Sequence, residues 1–272
     1  MSNTAPSETE MAQRESEAPP LPEPTILAVD TSSPRISLAM ARGELVVAAL
    51  AVESREPHSR TLFARLATLL EIARLGPDQI DVFAVATGPG SFTGLRVGLA
   101  AVKGLARTLG RRAVGVTSLD ALAVAAGVAG QVVPMIDAGR GEVYGGLREV
   151  TAEGLPAVTG QDVVGPTSLV LAGIRERLRP GPVVFIGDGA AGYQAEIAGA
   201  ALKAGTELRV VCAVEGSLRW QLKSDRPYLA PHIARLACRM LNSGIPLEAH
   251  PYYLRPSDAE LKWRDEARVI PA

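Results

Sequence analysis

The chain has 272 residues, of which 47% are apolar, 21% charged and 4% aromatic, and its formal net charge is -1. That length buries a sizeable core in one large domain or two lobes, and near-neutral charge excludes holding nucleic acid or anionic lipid by bulk electrostatics. No apolar run approaches the roughly 18 residues of a spanning helix, and no basic-then-apolar leader opens the chain, so the sequence reads as cytoplasmic.

Residues 1–24 hold five prolines, five Ser or Thr and five glutamates against one arginine. Such a segment buries too little to offset chain entropy and reads as a disordered acidic tail. Its charge of -4 leaves +3 on residues 25–272, too little for a basic face. The continuous apolar run at 26–30 is a buried strand presenting Asp30 at its end, and 36–40 and 45–50 continue it as a meander. Leu62, Leu66, Leu69 and Ala73 then recur at helical spacing with Phe63, Ala67 and Leu70 one position over, which predicts a helix apolar on two sides. A strand at 81–87 runs into the loop Gly88, Pro89, Gly90, Ser91, Phe92, Thr93, Gly94, with Arg96 just beyond. Leu95, Leu99, Val102, Ala106 and Leu109 mark the helix that follows, whose other side carries the small Gly94, Gly98 and Ala101. A strand at 113–117 and a helix at 119–127 complete a first lobe, 25–128.

A second lobe, 129–250, repeats the scheme. Aligning 29–37 with 136–144 pairs Asp30 with Asp137, Thr31 with Ala138, Arg35 with Glu142 and Ile36 with Val143, all at one offset of 107 residues, which points to a duplication. Helices at 168–178, 191–203 and 230–241 and strands at 183–187 and 207–212 follow, and residues 251–272 read as an extended terminal segment.

The glycine-rich loop lies between a buried strand and a helix, so it either leaves amides free for an anion or lets strand and helix pack closely. Two familiar phosphate signatures fail: no lysine precedes Lys103, and the sixth place of a dinucleotide fingerprint is Thr93. Asp30 with Thr31, Asp137 with Gly139, and Gly187 with Gly189 around Asp188 are three acidic turns. In a two-lobed α/β protein they can converge on a nucleotide cleft, although each singly reads as a turn cap. Cys212 and Cys238 are too far apart in sequence for a CxxC pair, and His58, His232 and His250 are scattered, which argues against a disulfide framework or zinc site and for capping or surface roles. Arg107, Arg111 and Arg112 suit the C-terminal dipole of the second helix better than an RNA patch.

The loop at 88–98, together with ILAVDTSS at 26–33, IDAGRGEVY at 136–144 and PYYLR at 251–255, resembles the TsaB family, also called YeaZ, over nearly all of residues 26–255. The resemblance implies an actin-like or Hsp70-like (ASKHA) α/β fold of two duplicated lobes, each a mixed sheet covered by helices. It implies a noncatalytic subunit that dimerises with the paralogue TsaD and activates it, together with the ATPase TsaE. Their product is N6-threonylcarbamoyladenosine beside the tRNA anticodon. It further implies contact with tRNA only through the complex, no resident cofactor, and ATP or ADP only within the complex. TsaD carries two metal-ligand histidines where this chain has Ser118 and Leu122, so no metal is expected. Phe63, Ala67, Leu70, Gly94, Gly98 and Ala101 are then the expected interface, two helices from each protomer, and a homodimer of the isolated chain would use the same helices. The alternatives are an independent ATPase or phosphotransferase using the cleft, or a metallopeptidase-like enzyme.

Overall fold

The computed structural model describes residues 23–53, 56–214, 219–223 and 226–255. The acidic tail, up to residue 22, and the terminal segment from 256 onward lie outside the described residues. The first sheet runs β3-β2-β1-β4-β5, from β1 (Thr25–Asp30), β2 (Arg35–Arg42), β3 (Leu45–Glu53), β4 (Val82–Ala86) and β5 (Arg112–Val116). The first three strands are antiparallel and the last two join β1 in parallel. The second sheet runs β10-β11-β9-β6-β7-β8, from β6 (Gly130–Gly139), β7 (Glu142–Val150), β8 (Pro156–Gly165), β9 (Val183–Ile186), β10 (Leu208–Val211) and β11 (Trp220–Lys223). It again begins with an antiparallel meander and adds a parallel strand beside its first strand.

The helices are α1 (His58–Ala73), α2 (Phe92–Thr108), α3 (Ser118–Ala125), α4 (Thr167–Arg175), α5 (Asp188–Gly192), α6 (Gln194–Lys203) and α7 (Ala230–Asn242). Strand alternation sorts the core into layers. Leu27 and Val29 of β1 and Phe83 and Val85 of β4 face α1 and α2 on the outside of the first sheet. Ile26, Ala28 and Ala84 face inward, onto α3 and α7, and share that core with Val132, Val184 and Ile186 of the second sheet. The opposite face of the second sheet packs on α4 and α6 through Val170, Ile174, Ile197 and Phe185. The inward face of the first sheet is rich in alanine (Ala28, Ala39, Ala41, Ala84, Ala86), and α7 meets it with Ala230, Ala234 and Ala237, so helix and sheet approach closely. Residues 129–250 therefore do not all pack on the second sheet, because α7 lies on β1 and β2. Two sheets of like order, with helices outside and between, form the actin-like fold.

The duplication holds with one change. Asp30 pairs with Ser37 in β2, whereas a bulge between Asp137 and Gly139 shifts the second hairpin so that Asp137 pairs with Val143. A uniform offset of 107 would set Asp137 against Tyr144. The extra residue turns Asp137 out to solvent, while Asp30 is buried at its strand end. Two strands escape the sequence reading: β8 is a half-exposed edge strand without clear alternation, and β11 has only four residues.

Candidate functional site

The glycine-rich loop closes onto the turn after β1. A side chain at Gly94 would strike the Thr31 carbonyl, one at Gly98 the Thr31 hydroxyl, and one at Gly90 the Ser32 carbonyl. Gly88, at φ +115°, leaves room for the Tyr252 carbonyl, which would lie 2.6 Å from a Cβ there. Thr31 Oγ1 donates to the Gly94 carbonyl at 2.7 Å, and the Ser91 amide donates to the Ser32 carbonyl at 2.6 Å. Ser91 caps α2 by accepting the Gly94 amide at 3.3 Å. These glycines serve close packing inside the chain. The expected interface is corrected accordingly: Gly94 and Gly98 face Thr31, and Ala101, 9% exposed, belongs to the core beneath α2. The outward side of α2 carries half-buried Val97 and exposed Ala100 and Gly104. On α1 the reading and the geometry agree in placement: Phe63 is 58% exposed, Ala67 is exposed and Leu70 half-buried. The two helices touch, and their exposed sides carry Phe63 and Ala67 on α1 and Ala100 and Gly104 on α2, together with Arg96, Lys103 and Arg107.

Two cavities separate the lobes. One of about 670 Å³ is lined by Gly90, Ser91, Phe92 and Thr93 of the loop, Asp137 and Gly139 of the second lobe, and Tyr252, Tyr253 and Arg255 of the terminal segment. The other, of about 40 Å³, lies between Asp30 and Gly187 and has room for little more than one water. Asp188 borders both. Thr31 and Gly189 line neither: Thr31 is spent on α2, and Gly189 packs against the Ile136 backbone.

The three acids expected to converge are occupied by backbone. Asp30 Oδ1 accepts from the Ser32 amide at 2.9 Å and the Ser32 hydroxyl at 2.6 Å, and burial pushes its carboxyl above the usual range. Asp137 Oδ1 accepts from the Gly139 amide at 2.9 Å. Asp188 Oδ1 accepts from the Asp137 amide at 3.0 Å and the Gly189 amide at 2.9 Å, which ties the start of α5 to β6. Each acid is thus a turn cap. His58 also caps: its Nε2 lies 2.8 Å from the Ser33 carbonyl and anchors the start of α1 to the same turn.

A buried ionic cluster was not anticipated from sequence. Arg148 on β7 is fully buried, with Nε donating to Asp120 of α3 at 2.5 Å and its two terminal nitrogens to Asp162 of β8 at 2.6 and 2.8 Å. Tyr252 donates to the same Asp162 at 3.1 Å, and its amide donates to the Thr87 carbonyl at 2.8 Å. Further along, Arg255 pairs with Glu142 and donates to the Ala138 carbonyl at 3.2 Å. Tyr253 stacks on Phe92 at 4.8 Å, with Arg96 3.8 Å over the other ring partner, Phe92. The segment 251–255 therefore straps the glycine-rich loop to the second lobe, which brings the separate sequence motifs into one place.

Ser118 is fully buried at the start of α3, and Leu122 packs against Gly187. Among the described residues no three His, Cys, Asp or Glu side chains group as metal ligands, and no helix is long and apolar enough to cross a membrane. Cys212 is exposed and Cys238 buried, both as free thiols.

The family model described as TsaD, tRNA N6-adenosine threonylcarbamoyltransferase, matches residues 52–213. The tRNA threonylcarbamoyladenosine biosynthesis protein TsaB of Bacillus subtilis (strain 168) is 34% identical over 166 residues, covering 60% of this chain and 70% of the relative. The chain belongs to the TsaB family. TsaB of Escherichia coli (strain K12) is 34% identical over 122 residues, covering 44% of this chain and 52% of its own. The solved structure of YeaZ from Pseudomonas aeruginosa aligns over 85% of this chain and 100% of that one, at a TM-score of 0.66 and 26% identity. TsaB-type sequence and the actin-like fold thus coincide in this chain.

Proposed function

We propose that this TsaB-family chain acts in tRNA threonylcarbamoyladenosine formation as a noncatalytic subunit. In this reading it dimerises with a TsaD-type paralogue through the outward side of α1 and α2. It activates transfer of the threonylcarbamoyl group to the adenosine beside the anticodon, with the ATPase TsaE as third component and tRNA held through the complex in the cytoplasm. The names its relatives carry support the pathway. The observation that carries the subunit role is the α1–α2 surface, where Phe63 is 58% exposed and Ala67 of α1 and Ala100 of α2 are exposed as well. An aromatic ring on a small-residue helix pair is a feature that a partner helix pair covers. The acids of the cleft, each committed to backbone amides, favour a subunit over an independent ATPase.

Reconstitution tests the proposal. The purified chain is mixed with TsaD, TsaE, ATP, threonylcarbamoyladenylate and unmodified tRNA, and modified nucleoside is measured with each protein omitted in turn. Product should require this chain, while the chain alone turns over no ATP. Modification at full rate without it, or steady ATP hydrolysis by it alone, would reject the subunit role.

A further inference from the structure

On the outer face of the second sheet, α4 and α6 flank a trough of about 760 Å³. Its walls are small because Ser168 and Ala172 of α4, Gly199 and Ala200 of α6, and Ala204 just after α6 line it. Larger side chains there would have filled it, as native interiors are filled. The floor is apolar, from Leu171, Leu178 and Trp220, and the indole is buttressed by Phe185 at 5.1 Å. The rim is basic: Arg175, Arg179, Lys203 and Arg219 surround the opening with Glu196 as the acid among them. Arg179 is paired with Glu149, whereas the side chains of Arg175, Lys203 and Arg219 make no ion pair or hydrogen bond among the described residues.

An apolar floor under cations whose side chains have no partner among the described residues suits a ligand with a hydrocarbon body and an anionic head, and the volume falls in the range of small-molecule sites, about 300–1,000 Å³. We propose that the α4–α6 trough binds a free amphipathic anion, its hydrocarbon lying on Leu171, Leu178 and Trp220 and its carboxylate or phosphate among Arg175, Lys203 and Arg219. The site faces away from the lobe cleft and from the α1–α2 surface, which covers the other sheet. Its occupant therefore need not compete with a partner there.

Calorimetric titration of the full-length protein with decanoate, decyl phosphate and decyltrimethylammonium reads this directly. Both anions should bind, with affinity rising about fourfold per added methylene from hexanoate to decanoate, and the cation should bind at least about tenfold more weakly. The double variant Arg175→Glu, Lys203→Glu should lose at least about tenfold in affinity for the anions. Gly199→Leu provides a control for folding, since a Cβ at Gly199 meets no atom within 4 Å. It should abolish binding while melting stays at or above wild type. Equal binding of the decyl cation, unaltered binding in Gly199→Leu, or no heat with decanoate would each overturn the proposal. So would a trough occupied by an acidic amphipathic peptide or by anionic phosphatidylglycerol vesicles but by neither free anion.

Discussion

Tyr252 donates its hydroxyl hydrogen to Asp162 Oδ2 at 3.1 Å, and the same oxygen accepts from Arg148 at 2.8 Å. One carboxylate thus joins the terminal strap to a guanidinium buried between α3 and the second sheet. Burial, with Asp162 adding to it, pushes the Tyr252 phenol up to about 12. A group whose folded value is raised favours folding fully below its unfolded value, and that contribution fades as pH rises through the folded one. Tyr252→Phe should therefore cost about 1 kcal/mol at neutral pH, and wild type should lose this advantage between about pH 10 and about pH 12. Urea melts of both proteins across that window check the crossing; a gap that widens with pH would mean the phenol ionises in the native state at lower pH.

Arg148 should tolerate replacement far less well. Removing it leaves Asp120 and Asp162 facing each other without a cation, and breaking a buried pair by deleting one partner costs about 3–5 kcal/mol. Arg148→Ala is expected to lower the melting temperature by about 10 °C, whereas Arg179→Ala, whose ion pair with Glu149 is 65% exposed on the arginine side, should change it little. Similar losses for both would place the second lobe's stability elsewhere.

Asp30 gives a prediction of opposite sign to the usual salt-bridged acid. Burial raises its carboxyl despite the two Ser32 hydrogen bonds, so the native state favours the protonated form. That contribution is full below the ordinary carboxylate range and is lost as pH rises through the folded value. Asp30→Asn keeps an oxygen for Ser32 and never ionises. Its stability relative to wild type should improve as pH increases from about 4 to about 7, measured by chemical denaturation. A wild type that instead gains on the variant would show that the charged carboxylate has a stabilising partner in the turn.

Much of this was legible in the residues, for identifiable reasons. Continuous apolar runs announced β1, β4 and β9, and the stripes of α1 and α2 were correctly spaced, because burial on a fixed backbone period leaves a pattern in sequence. The faces of α2 were less legible: small residues leave the same signature whether they meet a partner or their own chain, and only the placement of Thr31 against Gly94 and Gly98 decides. The equivalence of Asp30 and Asp137 broke at a bulge that no composition marks. Arg148 did leave a trace, a charge within the apolar strand Glu142–Val150, where a buried cation must find acids. Its partners lie on two other elements, 28 and 14 residues away, beyond the reach of local spacing.

Two neighbouring alanines on α2 separate core from surface. Ala101 is 9% exposed within the core that α2 shares with the first sheet, and Ala100 is exposed on the outward side of α2. Ala101→Glu buries an unpaired charge and should cost at least about 3 kcal/mol, with a fall in melting temperature of about 6 °C or more. Ala100→Glu keeps its carboxylate in water in the free chain and should melt within about 1 °C of wild type. In a complex with a TsaD-type paralogue, or with a second copy, seated on the outward side of α1 and α2, that carboxylate would be taken out of water. Dissociation should then accelerate by about a hundredfold or more. Sedimentation of each variant, alone and with TsaD, combined with thermal melts, distinguishes these outcomes. Intact association of Ala100→Glu would move the partner surface off α1 and α2, and an unaltered melt for Ala101→Glu would mean that α2 rotates its small side outward after all.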